Sequence, residues 1–219
     1  MNRLGRVFLL CTACTLLSAC LASAPAPREP EPEQPFSLVY FCNGSPFSVI
    51  FSEEQVRLDL GTRITVLPQI RAASGARYTD GETTFWSKGS EALLDLPGQE
   101  PMQCQGVPAQ DPWEEAALRG AVLRAIGQEP GWTLEIVPEQ WIRLVLDYGA
   151  KMVFAPVTEP HPTGTKTLRY ATRAEGNDLI ITVTAQACTD IMSGELFPLQ
   201  IQVEFDDRQL SGCGRTLPE

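Results

Sequence analysis

From residue 36 onward the chain is written in short apolar runs separated by turn residues, a pattern that leaves room for little but antiparallel β-structure. Phe36–Cys42 (FSLVYFC) leads into Asn43-Gly44-Ser45-Pro46 and then into Phe47–Phe51 (FSVIF). Asn-Gly between two apolar runs marks a hairpin, because both residues tolerate the positive φ of a tight turn. Further strands are expected at 55–60, 64–70, 84–88 and 92–96. Short strands punctuated in this way predict a small antiparallel barrel or sandwich. Nothing in this segment sustains a helical period.

The second half opens differently. Trp113, Ala116, Ala117, Leu118, Val122, Leu123 and Ile126 fit one helical face, predicting a helix over 113–126. Strands are then expected at 132–137, 141–147, 152–155, 168–172, 179–187, 199–205 and 209–212. Ile180-Ile-Thr-Val-Thr and Gln200-Ile-Gln-Val-Glu-Phe alternate as half-buried strands do. The expected fold class is all-β, mainly antiparallel: a small β-barrel followed by a second β-rich domain with one short helix. The composition shift at Gly106–Pro112 (GVPAQDP) reads as a linker between domains at 36–105 and 113–219. Both lengths lie in the usual range for independent cores.

The N-terminus reads as an export signal. Arg3 and Arg6 precede an apolar run from Val7 to Leu17, and Ser18-Ala19-Cys20 supplies small residues before a cysteine. A basic start, a short apolar core and a small-residue cleavage site form a secretory signal, and the run is too short to span a bilayer. Leu17-Ser18-Ala19-Cys20 resembles the bacterial lipobox, which implies acylation of Cys20 and an anchor stronger than a single acyl chain provides. Leu21 in the next position favours the outer membrane. Residues 20–35 (PAPREPEPEQP at their end) are rich in proline and glutamate, the composition of an extended tether.

Charge and cysteines narrow the function classes. The chain carries a net charge of −10, and removal of residues 1–19 leaves 27 acidic and 15 basic residues, a net charge of −12. Such a chain is repelled by nucleic-acid phosphates and suits a basic partner. If Cys20 carries lipid, then Cys42, Cys104, Cys188 and Cys213 form an even set in an oxidising compartment. Four cysteines allow three pairings, and the domain division favours Cys42–Cys104 with Cys188–Cys213.

The segment Ala73-Ser74-Gly75-Ala76-Arg77-Tyr78, the turn Thr79–Glu82, and Thr84-Phe85-Trp86-Ser87-Lys88-Gly89-Ser90 carry a recognisable order and spacing. With the two flanking cysteines, residues 36–105 resemble the membrane-bound and periplasmic inhibitors of C-type lysozyme. The resemblance implies a small antiparallel barrel, a basic lysozyme as protein partner, and inhibitory roles for Ser74 and Lys88 on loops. It further implies that Tyr78 shapes the first loop, with Gly75, Arg77 and Gly89 beside it in the lysozyme-binding set. Taken singly, Ser74-Gly75 is an ordinary turn and Lys88-Gly89 an ordinary solvated hairpin end. An enzymatic use of Ser74 and Lys88 would need a desolvated lysine, which loop tips do not provide. The sequence holds no phosphate loop and no metal-ligand spacing around its one histidine, His161, so neither cofactor nor catalysis is expected. The rival reading is a non-catalytic envelope module for another glycan or protein.

In the C-terminal half, Gly127–Trp132 (GQEPGW), Cys188–Gly194 (CTDIMSG) and Ser211–Gly214 (SGCG) resemble an uncharacterised bacterial envelope domain. That resemblance supplies no function. Asp190 and Ser193 are readable as site residues or, more cheaply, as parts of a polar turn, and Trp132 and Trp141 as core.

Overall fold

The computed structural model describes residues 37–218. The expected signal at 1–19, the lipidation of Cys20 and the tether at 20–35 lie outside those residues.

The first apolar runs form a closed eight-stranded barrel in which every strand pairs with its sequence neighbours. Its strands are β1 (Ser37–Cys42), β2 (Ser45–Phe51), β3 (Gln55–Asp59), β4 (Ile64–Ile70), β5 (Ala76–Thr79), β6 (Thr84–Lys88), β7 (Glu91–Asp95) and β8 (Met102–Pro108). Alternate residues point inward, so Tyr40, Val49, Val56, Leu58, Leu67 and Phe85 fill the interior without solvent exposure. β1 and β8 close the ring antiparallel, with Cys42 directly opposite Cys104. Their Cα atoms are 4.3 Å apart, near the spacing of a non-hydrogen-bonded antiparallel pair, and the two cysteines form a disulfide.

Two barrel strands escape the sequence pattern. Ala76–Thr79, which the strand expectations leave out, is β5; four residues are too few to display an alternation. β8 runs to Pro108 and takes residues 106–108 out of the expected linker. It has no apolar run, and its strand character comes from barrel closure: Gly106 lies opposite Tyr40, whose ring would meet a Cβ there at 2.8 Å.

The second half is a nine-stranded antiparallel sheet. It comprises β9 (Leu123–Gly127), β10 (Trp132–Val137), β11 (Trp141–Leu146), β12 (Lys151–Ala155), β13 (His161–Pro162), β14 (Thr167–Ala174), β15 (Asn177–Thr184), β18 (Leu199–Phe205) and β19 (Arg208–Thr216). β16 (Cys188–Thr189) and β17 (Leu196–Phe197) form a separate hairpin. The order β12-β11-β10-β9-β19-β18-β15-β14-β13 curls around a core that includes Leu134, Leu144, Ile181, Ile201, Val203 and Phe205. Cys188 and Cys213 are bonded, fastening the small hairpin to β19.

The helix expected at 113–126 is shorter: α1 spans Pro112–Leu118. The Asp111 carboxylate accepts from the Trp113 and Glu114 amides at 2.7 and 2.8 Å, with Pro112 in the first turn, where its missing N–H costs nothing. Beyond it, Leu123, Ala125 and Gly127 are buried alternately in β9. That strand is paired on both sides, by β10 and β19, and this pairing outweighs a loose helical period.

The barrel and the curled sheet are fastened together. Val39, Ser48 and Asp59 lie in one row across β1, β2 and β3. They face outward, alternating with core residues, yet are only 0%, 1% and 7% exposed. Arg143 of β11 donates to the Asp59 carboxylate and, at 2.8 Å, to Glu135 of β10. Arg119 also reaches Glu135 at 2.9 Å, and Arg124 pairs with it as well. Burial pushes the Glu135 carboxyl up, but the charges of Arg119, Arg143 and Arg124 outweigh it and hold the group below its ordinary range. Buried charges persist only when paired in this way.

Candidate functional site

Because β5 and β6 are antiparallel, the start of one lies beside the end of the other, and Ala76 faces Ser87. This register brings the turn before β5 next to the turn after β6. Ser74 and Gly75 are exposed in the first turn. Lys88, the exposed last residue of β6, opens the second. Gly75 has φ +66, and its missing side chain is what allows the contact: a Cβ there would lie 2.2 Å from the Ser87 carbonyl oxygen and 3.3 Å from Lys88 Cβ. The Ser74 turn is therefore seated directly on the end of β6.

A second tie comes from Trp86, whose indole N–H donates to the Ser74 carbonyl at 2.8 Å. Trp86 points outward and is 38% exposed. The Arg77 guanidinium lies 5.9 Å from its ring centroid. Gly89, at φ +64, turns the chain after Lys88. Among the described residues the Lys88 ammonium has no ion pair and the Ser74 hydroxyl no hydrogen bond.

Of the six residues expected at this site, Ser74, Gly75, Arg77, Lys88 and Gly89 are exposed around these two turns. Tyr78 is not among them at the surface. It points into the barrel, 4% exposed, edge-on to Phe51 at 6.1 Å, and burial raises its phenol above the ordinary range. Its part is to fix β5 from within. Trp86 was missed as a site residue, although its place two residues before Lys88 on the same face of β6 is a signal for it.

The motif residues of the second half also converge. Asp190 accepts from the Ser193 amide and hydroxyl, both at 2.8 Å, and these hydrogen bonds hold its carboxyl below the ordinary range. Gln128 donates to the same carboxylate at 3.4 Å. Asp190 and Ser193 thus build a turn. Trp132 is core, 3% exposed, its indole filling the space where Gly127 and Gly212 lack side chains. Trp141 packs beside Gly61 of the barrel. His161 is exposed, and among the described residues no three potential metal ligands cluster.

Two adjoining turns of a disulfide-closed barrel thus hold an exposed hydroxyl and an ammonium without an ion pair among the described residues, with the Arg77 guanidinium close by. The family model described as membrane-bound lysozyme-inhibitor of c-type lysozyme matches residues 40–103, from β1 into β8. The membrane-bound lysozyme inhibitor of C-type lysozyme from Yersinia enterocolitica (serotype O:8 / biotype 1B) is 44% identical over 62 residues, covering 27% of this chain and 52% of that protein. The protein of the same name from Escherichia coli K12 is 39% identical over 81 residues, covering 36% of this chain and 72% of that protein. The chain belongs to this family of lysozyme inhibitors through its barrel. It spans about half the length of the Yersinia relative. No solved structure matches it.

Proposed function

We propose that the barrel inhibits C-type lysozyme by seating Ser74 and Lys88 in the enzyme's cleft. The observation that carries this reading is the fixed neighbourhood of the two turns, made by the Trp86–Ser74 hydrogen bond and the seat of Gly75 on β6. Lysozyme cleaves a glycosidic bond with two carboxyl groups, one protonated as general acid and one ionised. A serine hydroxyl can donate or accept toward the first, and a lysine ammonium pairs with the second as a compact charge. Turns already held in place lose little freedom on binding, which favours affinity. The inhibitor acts as a plug and performs no chemistry. Arg77 on Trp86 borders the contact, and Tyr78 acts from the core.

The export signal and Cys20 support a lipid anchor in the outer membrane, with the barrel facing the periplasm. There it would shield peptidoglycan from lysozyme that has crossed the outer membrane. The direct test is inhibition of a C-type lysozyme by purified variants. Lys88→Ala is expected to weaken binding by about 2–5 kcal/mol, because a cleft carboxylate loses its partner. Ser74→Ala is expected to cost about 1–3 kcal/mol. Undiminished inhibition by both variants, with the barrel folded, would overturn the plug.

A further inference from the structure

The curled sheet holds a cavity that lysozyme inhibition does not use. β9 and β14 are separated in the ladder by β19, β18 and β15. On a flat sheet they would stand roughly 19 Å apart at the usual strand spacing. Here the sheet bends until Leu123 of β9 and Leu168 and Tyr170 of β14 line one cavity of about 390 Å³, with Val183 and Leu199 between them. Pockets for small ligands commonly have this order of size, and barrel mouths are among their preferred places.

The lining is an open end of the core. Leu168 and Val183 are cross-strand partners on the inner face, yet Leu168 is 40% exposed whereas Val183 is 7% exposed. Charge enters at one point. Lys166 is the only charged residue on the lining; it is exposed and has no ion pair among the described residues. Tyr170 is half-buried; burial first, and the negative charge of Glu159 second, keep its phenol protonated beyond the ordinary range. Glu159 therefore disfavours an anion at the tyrosine side and leaves Lys166 as the place for one.

We propose that this mouth binds a single-chain anionic amphiphile, a fatty carboxylate, with its chain among Leu123, Leu168, Val183 and Leu199 and its head group on Lys166. Methylenes withdrawn from water supply the affinity, and the lysine selects the acid.

The test is calorimetric titration of the full chain with dodecanoate below its aggregation concentration. One saturable site is expected. Lys166→Glu should weaken it at least tenfold, Leu168→Asp should abolish it, and dodecanol should bind more weakly than the acid. The exposed, unpaired Lys166 lets that variant keep the wild-type unfolding midpoint, so the test stands even if Leu168→Asp fails to fold. Absence of saturable binding would overturn the proposal. So would equal binding by both folded variants, which would place the ligand elsewhere, for instance on the exposed Ile191, Met192 and Leu196. Sedimentation with anionic phosphatidylglycerol vesicles but no uptake of monomeric dodecanoate would assign the surface to a bilayer and also overturn it. Lysozyme inhibition is expected to be unchanged in every folded variant, which separates this site from the barrel's.

Discussion

Replacing Gly75 by alanine tests how the Ser74 turn is held. The new methyl carbon would stand 2.2 Å from the Ser87 carbonyl oxygen, more than an ångström short of ordinary contact between non-bonded heavy atoms. Backbone, not a flexible side-chain end, is in the way, so the turn must lift from β6. The left-handed φ of +66 adds about 1–2 kcal/mol for any residue with a Cβ. Gly89 provides the control: its φ is +64, but no atom lies within 4 Å of its Cβ position. Gly89→Ala should therefore show the backbone cost alone, and Gly75→Ala that cost plus the displacement. An ångström's displacement of Ser74 from Lys88 is expected to weaken inhibition by tenfold or more, about 1.4 kcal/mol or greater. The assays are denaturant unfolding of the folded chain and inhibition of C-type lysozyme on cell-wall substrate. If Gly75→Ala matches Gly89→Ala in stability and inhibits like the wild type, the Ser74 turn is not seated on β6 and the argument fails.

Three further outcomes are expected. Trp86→Phe keeps most of the ring but removes the hydrogen bond to Ser74, which should cost about 0.5–1.5 kcal/mol of stability, read as a lower unfolding midpoint, and weaken inhibition by loosening the Ser74 turn. Arg143→Ala leaves Asp59 at the buried junction without its closest partner, and truncating one side of a buried pair costs about 3–5 kcal/mol, readable as a lower denaturation midpoint. Tyr40 buries a hydroxyl with no hydrogen-bond partner among the described residues, and burial first, with Tyr78 second, raises its pKa to about 12. A folded pKa above the unfolded value of about 10 means stability is retained below pH 10 and lost as pH rises toward 12. Tyr40→Phe should therefore be neutral or stabilising at pH 7 and should reduce the alkaline loss; a clear destabilisation at pH 7 would show that the hydroxyl has a partner.

Much of the fold was legible because antiparallel strands with one buried face write themselves into sequence at period two. β1, β4, β6, β10 and β18 fall where the apolar alternation puts them. The segments that hid are those whose conformation is imposed from outside. β5 is too short for a pattern, β8 is a strand because it closes the ring, and β9 looked helical because Leu123 and Ile126 share a helical face as readily as they divide between two sheet faces. The site divides in the same way. Turn chemistry places Ser74-Gly75 and Lys88-Gly89 at chain reversals whatever the fold, but only the resemblance to the lysozyme inhibitors singles them out from other turns.

Chain chemistry alone determined where most strands run, and which hydroxyl and ammonium stand beside turn glycines. Only the tertiary structure decided that those two turns adjoin, that Tyr78 lies inside while Trp86 braces Ser74 from outside, and that Arg143 reaches across to Asp59, 84 residues away. Period and turn propensity are local properties, fixed by a few neighbouring residues. Adjacency between turns, burial of an outward-facing row and the pairing of distant charges depend on barrel closure and sheet curvature, which exist only once the whole chain has folded.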